Sequence, residues 1–168
     1  MADPIADYPT PQYTAPTGRL IDGVVITPLR RIPDERGTIS HMLSRTDPHF
    51  VQFGEIYFSS IYPGVVKAWH LNTRMVLNYA CIAGRIKLVL FDDRPQSPTR
   101  GALMELFLGA DNYSLVTIPK SVWNGFKGMS SPDALLANCA SEPHDMGQSA
   151  RLDPFDNGIP YDWAVRHK

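Results

Sequence analysis

Cysteine is scarce: 2 residues in 168, Cys81 and Cys139, each inside an apolar run. A small buried thiol is the ordinary state there, which excludes a disulfide scaffold and a Cys-based zinc site. A surplus of either charge is also missing, since 16 Lys and Arg stand against 17 Asp and Glu for a net charge of −1. No long-range field therefore draws a polyanion or an anionic bilayer, and neither nucleic acid nor a membrane is an expected partner. No apolar run approaches the roughly 18 residues of a spanning helix. Met1-Ala2-Asp3-Pro4 lacks the basic start and apolar middle of a signal peptide, so a cytoplasmic location is expected. Helical periodicity is absent as well: no window of a dozen residues carries a clean 3.6-residue apolar repeat.

What the chain does have is apolar residues in short β-rich runs, 43% of the total. A chain of this length buries roughly 70% of its unfolded surface and needs no staples. Residues 1–18 hold Pro4, Pro9, Pro11 and Pro16, a composition that resists helix and reads as an extended arm. From residue 19 to 168 a single domain is expected. Val24 to Ile26, Thr38 to Ser40, Ile56 to Phe58, Val65-Val66, Met75 to Ile82, Ile86 to Phe91, Leu103 to Leu108, Leu115 to Ile118 and Leu135 to Cys139 read as strands between turn signals. That spacing predicts an all-β sandwich or barrel with, at most, short peripheral helices. Ile86 to Phe91 carries one charge among five apolar residues, as expected of a strand covered on both faces. Leu152 to Trp163, rich in Asp, Pro and aromatics, reads as a loop packed back on the body.

Histidine titrates nearest neutral pH, so the five histidines are the first places to look for proton transfer. His70 stands out because it ends the strand-like Gly64-Val65-Val66-Lys67-Ala68-Trp69-His70. Period-2 alternation puts Val66, Ala68 and His70 on one face and Val65, Lys67 and Trp69 on the other. A single inward imidazole also argues against a bound transition metal, which needs three or four ligands: the H-x-H position reads His70-Leu71-Asn72 and the third position reads Asn124. Neither a metal nor another cofactor is expected.

Three stretches between Leu20 and Trp163 carry a family resemblance. They are Asp34-Glu35-Arg36-Gly37; Gly64 to His70; and Gly84 through Asp92-Asp93-Arg94 and Ser97-Pro98-Thr99, followed by Ile118-Pro119-Lys120-Ser121-Val122-Trp123-Asn124-Gly125-Phe126. In order and separation they resemble the cupin-type dTDP-4-dehydrorhamnose 3,5-epimerases, enzymes that act on nucleotide-linked 4-keto sugars. The resemblance implies a cupin jelly roll, a homodimer to which the Pro-rich arm crosses, and a nucleotide-sugar substrate, with a dTDP-sugar favoured. It implies His70 as the base that removes the proton beside the ketone. Arg36 and Lys67 would hold the diphosphate, Lys67 or Asn124 would steady the enolate oxygen, and Asp153, or failing it Asp156, would orient His70. His41 would line the sugar pocket, and Phe58 and Trp123 would stack on the base or cover the sugar. The chain departs from the family pattern where a second histidine stands, here Asn124, and where a tyrosine acid stands, within Ala137 to Pro143. His144 and Tyr79 are the candidate replacement acids. Deoxysugar or cell-surface polysaccharide biosynthesis is the expected setting. The competing expectations are a nucleotide-sugar-binding protein without turnover and a 3,4-ketoisomerase.

Overall fold

The computed structural model describes residues 15–165. Most of the Pro-rich stretch 1–18 and His167 lie outside them. Two antiparallel sheets face one another. One contains, in spatial order, β1 (Thr17–Gly18), β9 (Leu103–Gly109), β8 (Arg85–Phe91), β11 (Trp123–Gly128), β6 (Val66–Asn72) and β13 (Ser149–Arg151). The other contains β2 (Val25–Pro28), β10 (Ser114–Ile118), β7 (Leu77–Ala83), β12 (Ala134–Ala140) and β5 (Glu55–Ile61), while β3 (Arg31–Asp34) and β4 (Gly37–Ser40) form a separate hairpin. In place of the short helices expected, the described residues hold one 3₁₀ turn, Met146–Gln148.

Alternation explains the layers. Ile86, Leu88 and Leu90 of β8 and Met104, Leu106 and Leu108 of β9 point inward to meet Leu77, Tyr79 and Cys81 of β7 and Val116 and Ile118 of β10. The outer face of β8 is also covered, because Val89 packs with Trp69 and Trp163 under the returning Ile159 to Trp163 segment. That accounts for the continuous apolar run at Ile86 to Phe91. Both cysteines are free and buried.

One irregularity decides which residues reach the interior. Along β6 and β11, Asn124 lies opposite His70 but Phe126 lies opposite Lys67, so β6 spends one residue more than its partner between the two pairs. This is a β-bulge, and it inverts the alternation expected from the sequence. Val66 and Ala68 pack on the outer aromatic cluster with Trp69, while Lys67 shares the inner side with His70 and reaches Ser59 of β5. His70 is inward as expected, but Lys67 is on its side rather than opposite. Gly125 permits this: a Cβ there would lie 2.4 Å from the Ala68 Cβ.

Candidate active site

Between the open edges of the sheets lies a cavity of about 190 Å³. The six-stranded sheet supplies His70, Leu71 and Asn72 from β6, Phe126 from β11, and Ser149, Ala150 and Arg151 from β13. The five-stranded sheet supplies Tyr57 and Ser59 from β5, Tyr79 from β7 and Leu136 from β12; Met75 and His144 come from connecting segments. No Asp or Glu is among these lining residues.

His70 is half-buried, and its pKa is lowered by that burial and by the positive charges of Arg151 and Lys67. It therefore stays neutral, and able to accept a proton, further into acid than a free imidazole does. Across the cavity, Tyr79 is only 4% exposed and donates to Asn124 Oδ1 at 3.1 Å. Burial, reinforced by the neighbouring Tyr57 phenol, holds Tyr79 well above the usual phenol value, so it keeps its proton at neutral pH. Asn124 is fully buried, and its Nδ2 donates to the His70 carbonyl at 3.0 Å. The amide thus ties the His70 backbone to the phenol of the opposite sheet.

The cavity gathers only some of the residues expected from the sequence. His70, Tyr79 and His144 line it. Lys67 stands beside it, its ammonium donating to Ser59 Oγ at 2.9 Å and to the Ser60 carbonyl at 2.7 Å. Asn124 is behind the wall, with both ends of its amide engaged by protein. Asp153 requires correction. It is exposed, and its Oδ1 accepts from the Phe155 and Asp156 amides at 2.8 and 2.9 Å, closing its own turn instead of orienting His70. Asp156 is exposed in the same turn and does not line the cavity either. Phe58 is 61% exposed because it alternates with the inward Tyr57 and Ser59, and Trp123 packs with the outer aromatic cluster, so neither covers this cavity. Arg36 and His41 are exposed at the β3–β4 hairpin, with Arg36 paired to Asp34 at 2.6 Å, and neither lines the cavity of its own chain.

Of the thirteen lining residues the sequence marks His70, Tyr79 and His144 as candidates; among those it leaves unmarked, Tyr57 and Arg151 carry ionisable side chains. Tyr57 lies between the apolar Ile56 and Phe58 of a strand that the sequence marks only as β-rich, and Arg151 in a three-residue strand, Ser149–Arg151, without apolar alternation. Among the described residues no three His, Cys, Asp or Glu side chains converge in a way that would hold a metal ion. No described helix is long and apolar enough to cross a membrane.

Residues 19–168 match the family model for dTDP-4-dehydrorhamnose 3,5-epimerase. The chain belongs to that family. A dTDP sugar isomerase from Desulfovibrio desulfuricans shares 43% sequence identity, with a TM-score of 0.84 over 88% of this chain and 94% of that one. A probable low-salt glycan biosynthesis epimerase of Haloferax volcanii is 33% identical over 144 residues, 84% of this chain and 89% of that protein. A spore coat polysaccharide biosynthesis protein of Bacillus subtilis is 29% identical over 151 residues, 89% of this chain and all of that protein. As a member of the family the chain is an isomerase of the epimerase class with a cupin-like β fold. The motif around Asp92 that helped mark the family has no place in the cavity. Asp92 is fully buried, and its carboxylate accepts from Arg94, Ser97 and Thr99, so that stretch secures a loop.

Proposed function

We propose that the protein epimerises a dTDP-linked 4-keto-6-deoxyhexose by proton removal and return beside the ketone, in the making of a deoxysugar for a surface polysaccharide. One observation carries this reading: a neutral imidazole and a protonated phenol belong to opposite sheets and meet across one cavity. Inversion at carbon needs a base on one face of the sugar and a proton donor on the other. His70 takes the proton, and the donor comes from the Tyr79 and Tyr57 phenols of the opposite wall, Tyr79 having first to release Asn124 Oδ1, to which it donates in the free protein. His144 at the rim is the second candidate donor, its Nε2 lying 3.3 Å from Met146 Sδ. No metal enters this scheme.

The nucleotide reading agrees with the name of the Desulfovibrio relative, a dTDP sugar isomerase. Arg36 lies outside the cavity of its own chain, so a role for it at the diphosphate requires a second copy, and the expected homodimer supplies one. The outward Ile56 and Phe58 of edge strand β5 favour such pairing, because an exposed apolar edge invites a partner. Sedimentation at micromolar concentration checks the dimer, and a monomer overturns it.

The test of function is incubation with dTDP-4-keto-6-deoxyglucose in heavy water, read by NMR of the sugar. Deuterium at carbons beside the ketone, with inversion at one or two centres, supports the epimerase. Tight binding without label supports a binding protein, and migration of the ketone to a neighbouring carbon supports the ketoisomerase.

A further inference from the structure

Strand β13 adds only Ser149, Ala150 and Arg151 to the edge of the six-stranded sheet, yet it sets an arginine directly across from the base. Arg151 and His70 are register partners. In the adjoining pair, Trp69 and Leu152 exchange both backbone hydrogen bonds, at 3.0 and 3.1 Å. The His70–Arg151 pair is therefore of the non-hydrogen-bonded kind, in which side chains of one face approach most closely, with Cα atoms about 4.5 Å apart. Both residues line the cavity. No carboxylate lines it with them, and Arg151 is in none of the ion pairs among the described residues.

A guanidinium facing a base with no anion between them is a costly arrangement once the base is protonated. It becomes favourable if the same step creates an anion in the gap. We propose that Arg151 is a catalytic residue that binds the enolate oxygen formed when His70 removes the proton beside the ketone. This inference rests on the reading of His70 as base.

The step balances within the cavity. A ring nitrogen of His70 takes the proton, the C–H electron pair becomes the C=C bond of the enolate, and the carbonyl π pair moves to oxygen. One positive charge is gained on His70 and one negative charge on oxygen, so the net charge beside Arg151 is unchanged. Return of a proton to carbon restores the C=O bond. The other polar groups expected to steady this oxygen are already engaged: the Lys67 ammonium with Ser59 and Ser60, and the Asn124 amide with Tyr79 and the His70 carbonyl. Arg151 also has the planar fork that suits an oxyanion.

The experiment compares wild type, Arg151→Gln and Arg151→Lys in three measurements. These are dTDP affinity by calorimetry, deuterium exchange at saturating dTDP-4-keto-6-deoxyglucose, and NMR titration of the His70 imidazole in the free protein. The groups facing that imidazole are Lys67 on its own strand, Arg151 on β13, Tyr57 and Tyr79 from the other sheet and His144 at the rim. Arg151→Gln is expected to keep dTDP affinity within about twofold, to slow exchange by about 10²-fold, the worth of one oxyanion donor, and to move the His70 titration to higher pH. Arg151→Lys is expected to restore part of the exchange.

Weaker dTDP binding with wild-type exchange at saturation would make Arg151 a phosphate ligand and overturn the proposal, as would unchanged exchange. If Arg151→Gln does not fold, Arg151→Lys decides: slower exchange at wild-type dTDP affinity supports the role, and wild-type exchange removes it. A wild type without exchange sinks the reading of His70 as base. The titration still separates the two ideas, because a His70 curve indifferent to Arg151→Gln sinks the juxtaposition itself.

Discussion

Asp92 and His70 are polar groups held inside one sandwich and treated in opposite ways. The Asp92 carboxylate accepts from Arg94 Nε and Nη2 at 2.8 and 2.9 Å, from Ser97 Oγ at 2.6 Å and from Thr99 Oγ1 at 2.7 Å. Arg94 also reaches the Asp22 carbonyl at 2.7 Å, which ties the loop after β8 to the chain entering β2. Among the described residues nothing bonds the His70 ring, and its charged neighbours are cations. A buried group whose bonds are complete is fixed and has nothing left to offer a substrate. One whose bonds are left open, at the wall of a cavity, is free to exchange a proton. The motif richest in polar residues is therefore structural, and the sparse one leaves its imidazole open to a ligand.

The sharpest way to test that contrast is to remove each group and read both stability and turnover. His70→Asn is expected to slow deuterium exchange by about 10² to 10⁴, the worth of a positioned general base, while leaving the melting temperature and dTDP affinity near wild type. The pH profile carries a sign. Because the His70 pKa is lowered, exchange stays at its plateau as pH falls past the usual imidazole value and drops only further into acid. An acidic limb at or above that value would break the contrast.

Asp92→Ala is expected to do the reverse. Removing the buried carboxylate leaves the partly exposed Arg94 and the Ser97 and Thr99 hydroxyls without their acceptor and costs about 1–3 kcal/mol, seen as a lower midpoint in denaturant. Exchange per folded molecule stays near wild type. Burial pushes the Asp92 pKa up, but the bonds from Arg94, Ser97 and Thr99 outweigh it and hold the group well below the usual carboxylate range. A group depressed in the native state contributes stability that is complete above its unfolded pKa, near 4, and is lost as pH falls toward its native value. The wild type should thus lose stability in acid, and Asp92→Ala should lose less. A variant as stable as wild type would show that the cluster is ornamental.

Gly125→Ala lies between the two regions. An added Cβ at 2.4 Å from the Ala68 Cβ must push β6 and β11 apart where the bulge turns Lys67 and His70 inward. The expected cost is about 1–3 kcal/mol of stability. Exchange should fall with it, because His70 is displaced. Loss of stability with full exchange would mean that the bulge is not what aims His70.

These residues also show how far the sequence could be read. Long apolar strands such as β7, β8 and β9 announce themselves, because burial selects their residues. β11, interrupted by Gly125, Lys127 and Gly128, does not, and neither does β13 with its Ser-Ala-Arg. Arg151 was lost with β13. Strict alternation misplaced Lys67 because a bulge costs one residue and the Gly125 that accommodates it lies on the neighbouring strand. Asp153 misled for another reason: Asp-Pro in a resembling segment looks like a partner for histidine, whereas the same aspartate bonds amides two and three residues onward, a local use that any Asp in a turn is suited to.

Asp153→Asn gives the smallest expected effect and the cleanest discrimination. If Asp153 oriented His70, losing its charge would disturb the tautomer, slow exchange well beyond twofold and move the acidic limb of the pH profile. In the structure the carboxylate is exposed, and its pKa is lowered by the Phe155 and Asp156 amides, a contribution to stability present above its unfolded pKa and lost as pH falls below it. An Asn side chain offers the same oxygen to the same amides. Exchange is therefore expected within about twofold of wild type, with the acidic limb unmoved and only a slight loss of thermal stability at neutral pH, since two exposed charge-assisted bonds become neutral ones. A large loss of exchange in a folded Asp153→Asn would mean that the turn reopens on substrate binding and delivers the carboxylate to His70, and the open-bonded His70 ring would then belong to the free protein alone.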